Sequence, residues 1–86
     1  MRFIIEQRHL TDARGRPAAH ASAVAFFTQE AEDAAQAASL FIGVTGAEII
    51  GQVQQFPGFH AIATMRGRDG VFTLQVSPAS QPIPPL

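Results

Sequence analysis

The sequence predicts an α+β domain of two layers, with an antiparallel sheet of four to five strands and one principal helix in the order β-β-α-(β)-β-β. Three observations predict it. Near the C-terminal end, Phe59-Ala61-Ala63-Met65 alternates with His60-Ile62-Thr64-Arg66, and Phe72-Leu74-Val76 alternates with Val71-Thr73-Gln75, the period of two that a half-buried strand needs. In the middle, Ala31, Ala34, Ala35, Ala38, Phe41 and Ile42 recur at helical spacing. At the start, Phe3-Ile4-Ile5 leads a β-branched run into polar residues.

Taken in order, the first strand covers Phe3 to His9. Thr11 to Ala19 reads as a loop, punctuated by Asp12, Gly15 and Pro17, since Pro cannot donate to a ladder. Ser22 to Phe27 reads as a second strand, antiparallel to the first. The helix follows over about residues 29–42. Thr28 is suited to the N-cap, and Glu30, Glu32 and Asp33 place carboxylates in the first turn and a half, against the positive end of the macrodipole. Gly43 supplies a left-handed stop. Its apolar face is mostly alanine, which lets a helix sit close on a sheet.

Residues 44–56 carry both signals. Thr45-Gly46-Ala47-Glu48 matches a capping box, but Gly46 and Gly51 weaken a helix, and Phe56-Pro57-Gly58-Phe59 makes a tight turn between strands. Strand is the preferred reading. The last two strands are joined through Gly67-Arg68-Asp69-Gly70, whose Asp-Gly pair supplies the positive φ of a hairpin. The domain spans 1–77, and residues 78–86, with four of the six prolines, form an extended tail able to dock on a protein partner.

Composition narrows the function. Domains of 86 residues bury only about 60% of the surface of their unfolded chains and commonly lean on disulfides, metals or partners. There is no cysteine, which removes the first support and thiolate metal sites, and suits the cytoplasm. Charged residues make up 15%, against about 25% in ordinary domains. Glu6 ends the first apolar run too early for a leader, and no stretch reads as a membrane span.

The strands carry apolar residues at both parities: Ile4 against Phe3 and Ile5, Phe26 against Phe27, Ile62 against the Phe59 set, Val71 against Phe72. One helix covers one face, so the sequence predicts an oligomer, most simply a two-fold dimer. A second short helix at 46–55, or the tail, is the alternative cover.

Sites for chemistry are sparse. His9, His20 and His60 have no metal-ligand spacing, and no metal or cofactor is expected. His60, beside Phe59 and Ile62, is the best acid–base candidate if an Arg or Glu lies near. Gly43-Val44-Thr45-Gly46 lacks the residues that ligate a nucleotide. Arg14-Gly15-Arg16 and Arg66-Gly67-Arg68 hold four of the six positive charges. If the first loop meets the last hairpin turn, four guanidiniums converge on an anion. Asp12 and Asp69, a net charge of −1 and the absence of Lys, Tyr and Trp favour two exposed turns and disfavour nucleic acid.

The resulting expectation is a small non-catalytic, oligomeric interaction module. The alternatives are a dimeric enzyme or ligand-binding protein with a pocket near His60, and Arg-mediated binding of an anion or nucleic acid through Arg14, Arg16, Arg66 and Arg68.

Overall fold

The computed structural model describes residues 1–18 and 24–79. These described residues form an α+β fold of one five-stranded antiparallel sheet and one helix: β1 (Arg2–Thr11), β2 (Val24–Glu30), α1 (Ala34–Thr45), β3 (Glu48–Phe56), β4 (His60–Gly67) and β5 (Gly70–Pro78). The strand order is β2-β1-β5-β4-β3. The first strand is thus interior, held between β2 and β5, with Ile5 opposite both Phe27 and Val76. No helix among the described residues is long and apolar enough to cross a membrane.

The even pleat of the strands sorts their side chains. Phe3, Ile5, Ala61, Ala63, Met65, Leu74 and Val76 are buried under α1, against Ala34, Ala37, Ala38, Phe41 and Ile42. Each large side chain fully withdrawn from water here contributes about 1.5–3 kcal/mol. The alanines of α1 remove the bulk that would hold helix and sheet apart. Ala37, at the centre of this face, was not anticipated from the sequence, and Ala31 packs on the core from outside the helix. The opposite face carries Ile4, Glu6 and Arg8 from β1, Phe26 from β2, and Ile62, Thr64 and Arg66 from β4, as their registers require.

Helix α1 leaves the Glu30 end of β2, at one edge of the sheet, and delivers the chain to β3 at the other. It packs chiefly on β4 and β3 and least on β1 and β2. At 12 residues it is about 18 Å long, close to the about 19 Å spanned by four interstrand spacings.

The helix limits differ from those expected. Thr28 is not the cap and Glu30 is not helical. β2 runs on to Glu30, which pairs with Arg2 in the ladder and whose carboxylate meets the Arg2 guanidinium at 3.1 Å and the N-terminal ammonium at 3.6 Å. Asp33 is the N-cap, its side chain accepting from Gln36 N at 2.7 Å, while the Gln36 side-chain oxygen accepts from Glu32 N. At the other end Gly43 stays inside the helix, where a Cβ would meet open space. The left-handed residue is Gly46, at φ 74°, whose N–H is donated to the carbonyls of Gly43 and Ile42.

Residues 48–56 are a strand and extend the sheet, so they do not cover its outer face. The ladder with β4 slips between Ile50 and Gln54: four steps on β3 oppose two on β4, from Thr64 to Ile62. Gly51 takes φ 72° within this bulge. Phe59 does not join the alternation of β4; it lies in the preceding turn at φ 62° and is exposed. Pro78 closes β5 opposite Phe3, and Ala79 N is donated to Arg2 O at 2.9 Å. The expectations for His20, for the start of the second strand at Ser22 and for the tail after Ala79 lie outside the described residues.

Candidate functional site

Of the hollows that join sequence-distant residues among the described ones, three bear on the sites and the apolar surface that the sequence singles out. The first lies where β1 ends and the β4–β5 hairpin turns. The loop after β1 is tightly organised around one carboxylate: Asp12 Oδ1 accepts from Arg14 N at 2.9 Å and Arg16 N at 3.0 Å. Asp12 N in turn is donated to Arg16 O and Gly15 N to Asp12 O, with Gly15 at φ 79°. An Asp that captures amides two and four residues on builds a turn from its own side chain.

This loop meets the hairpin at Gly70. Gly70 is buried at φ 125°, and a Cβ there would overlap the Thr11 carbonyl oxygen and the Asp12 backbone. Only glycine permits that approach. His9 locks the same junction: its ring stacks on Phe72 at 4.3 Å, and Nε2 lies 2.9 Å from Asp69 O, a bond the imidazole makes by donating from a protonated Nε2.

The two Arg-Gly-Arg segments, expected as separate turns, are therefore brought together. Between them is a cleft of about 260 Å³ whose lining includes Asp12, Gly15, Arg66 and Arg68 but neither Arg14 nor Arg16, so the two turns meet without bringing all four guanidiniums into one site. Arg66 reaches Glu48 at 3.8 Å. Arg14, Arg16 and Arg68 are exposed and have no acidic partner among the described residues, whereas Arg2 and Arg8 are paired with Glu30 and Glu6.

No protein-family model, curated protein or solved structure matches this chain.

The second place is a cleft of about 250 Å³ where the N-terminus of α1 faces the β3–β4 turn, lined by Asp33, Phe56, Phe59 and His60 among others. It joins His60 to a carboxylate, as the acid–base reading required, but Asp33 already accepts the Gln36 amide to cap α1. No group of three or more His, Asp or Glu able to hold a metal occurs among the described residues.

The third is a shallow hollow of about 460 Å³ around β2, formed by Ile4, Phe26, Phe27 and Thr28. β2 is an edge strand. Phe27 turns under the sheet to contact Phe41, ring centres 4.9 Å apart, yet remains 40% exposed, and Phe26 on the other face is 66% exposed. The sequence's double-sided strands pointed to such a patch on the face of the sheet. They did not indicate that it would reach round a sheet edge.

Proposed function

We propose that the protein is a small, non-catalytic interaction module that self-associates through the β2 edge and the apolar hollow beside it, the partner being a second copy of the chain. The observation that carries this reading is Phe26, two-thirds exposed at 66% in the middle of a strand whose outer row of backbone groups has no partner strand among the described residues. An open edge of this kind is a template for another strand.

Charge favours a like partner. The only charged residue of β2 is Glu30, already engaged by Arg2 and the N-terminal ammonium, so two copies meet without leaving a carboxylate unpaired. Antiparallel pairing of identical strands closes on a two-fold axis, satisfies the open row on both, and buries Phe26 and Ile4. It supplies the added support that so small a domain needs in the absence of disulfides. The thiol-free composition fits a cytoplasmic setting.

Light scattering over a roughly hundredfold dilution tests the reading. The full chain is expected at twice its 9.2 kDa mass. Phe26→Lys, which gives the edge the charge that natural edges use, is expected at the monomer mass, and Phe56→Lys on the opposite edge at the dimer mass. A wild-type monomer throughout, or a dimer indifferent to Phe26→Lys, overturns it.

A further inference from the structure

The cleft between the start of α1 and the β3–β4 turn has no part in that association. We infer that it is a docking site for a proline-rich segment, and that its occupant is residues 80–86 of the same chain, where Pro82, Pro84 and Pro85 surround Ile83. Three observations converge on this. The first is the point at which the chain leaves the sheet. Pro78 pairs with Phe3, and Ala79 N is donated to Arg2 O, so the exit lies at the end where β1 begins. In the β4–β5 register Ala61 faces Val76, which puts His60 and the turn before it level with Ser77 and the residues that follow. β3 lies two strand spacings from β5, about 10 Å. A polyproline run covers that distance in three or four residues, at about 3.1 Å each. Ile83, the fourth residue after Ala79, comes within reach of the cleft.

The second observation is the rim of the cleft. Phe56 and Phe59, on either side of Pro57-Gly58, are 46% and 54% exposed, and both line this space of about 250 Å³. Grooves walled by aromatic rings receive proline-rich segments, whose preformed geometry loses little entropy on binding. Phe59 holds φ 62°, a left-handed conformation that a bulky side chain keeps only where its surroundings over-determine it. A glycine would close the same turn without strain; the phenylalanine adds a ring to the cleft. The third observation is polarity. Residues 79–86 carry no charged side chain. Asp33, the one carboxylate lining the cleft among the described residues, is engaged in capping α1, so an apolar segment meets no unanswered charge there. The hollow beside Phe26 suits the same segment less well. Phe26 faces Glu6, four residues along β1 from Arg2, so the chain would have to reverse at its exit and run back about 13 Å over the sheet.

The test is methyl and aromatic NMR on the full-length protein. The Ile83 methyls are expected upfield of their unstructured position, shifted by ring currents, with NOEs to the Phe56 and Phe59 rings. Phe59→Gly deletes one ring and accepts a positive φ more readily than Phe. The amide spectrum of the sheet is therefore expected to stay that of the folded chain, while the upfield shift and the NOEs of Ile83 are lost. Ile83→Ser is expected to move the amides of Phe56 and Phe59 and to leave those of Arg14 and Arg16 in place. Ile83 methyls at their unstructured position in the wild-type chain, or unmoved by Phe59→Gly, overturn the site. NOEs from Ile83 to Phe26 or Ile4 overturn it in favour of the other hollow. NOEs found only between differently labelled copies in a mixed sample overturn docking within one chain and make residues 80–86 a clasp between copies. Phe26→Lys is expected to keep the Ile83 NOEs, so failure of the dimer and failure of this site are read separately.

Discussion

The two edges of the sheet have been treated in opposite ways. β3 is an edge that does not invite pairing: two extra residues bulge from its ladder around Gly51, and Gln52, Gln54 and Gln55 occupy its second half. A bulge turns the strand and interrupts the regular row of donors and acceptors a partner would need. β2 keeps an unbroken register with β1 over seven pairs, from Arg2–Glu30 to Arg8–Val24, and carries adjacent phenylalanines. Helix α1 adds to the contrast by lying over β4 and β3 and leaving the β2 side thinly covered. Exposure of apolar surface alone does not separate them, since Ile49 and Phe56 on β3 are also exposed. Continuity of the ladder does.

The largest effect of substitution is expected away from both edges and sets the scale for them. Gly70→Ala forces a Cβ into the Thr11 carbonyl at the junction of β1 and β5 and is expected to cost about 3 kcal/mol, seen as a lowered urea midpoint. On the β2 edge, Phe27→Ala removes the Phe41 contact. A loss of about 2 kcal/mol is expected, below the about 3–5 of a fully buried Phe, because much of the ring already meets solvent. Measured in the Phe26→Lys background, this loss is free of any contribution from association. On the β3 edge, Gly51→Ala meets no atoms but must hold φ 72°; about 1 kcal/mol is expected. Thermal denaturation showing Gly51→Ala to be costlier than Phe27→Ala would reverse the ranking of the two edges.

What the sequence disclosed follows the range of the interactions involved. The β4–β5 hairpin was legible because alternation and the Asp69-Gly70 turn are local signals, and Gly70 does adopt positive φ. The helix was legible as an element but not in its limits. Thr28, Glu30 and Gly43 each satisfy a helix-end rule on their own, yet Thr28 and Glu30 are held in β2 by pairing with Ile4 and Arg2, residues 24 and 28 positions away. Asp33 and Gly46 fit the same rules and had no such competitor. Where the first loop meets the last hairpin turn, the arginines were visible as residues, and the meeting of the two segments was not. It depends on β1 lying beside β5, a choice that no short window records, and on the missing Cβ of Gly70 against Thr11. His60 illustrates the converse: its apolar neighbours in sequence drew attention to it, and the carboxylate that lines its cleft, Asp33, came from a segment read as the first turn of the helix.

The interior position of β1 has a bearing on how the chain is made. Arg2–Thr11 pairs on one side with β2, which follows closely, and on the other with Gly70–Pro78. During synthesis the β1–β2 hairpin can form early, but its second margin, bearing Phe3 and Ile5 on one surface and Ile4 on the other, stays without its partner until β5 leaves the ribosome. Nearly the whole length of the domain must be translated before its middle can close.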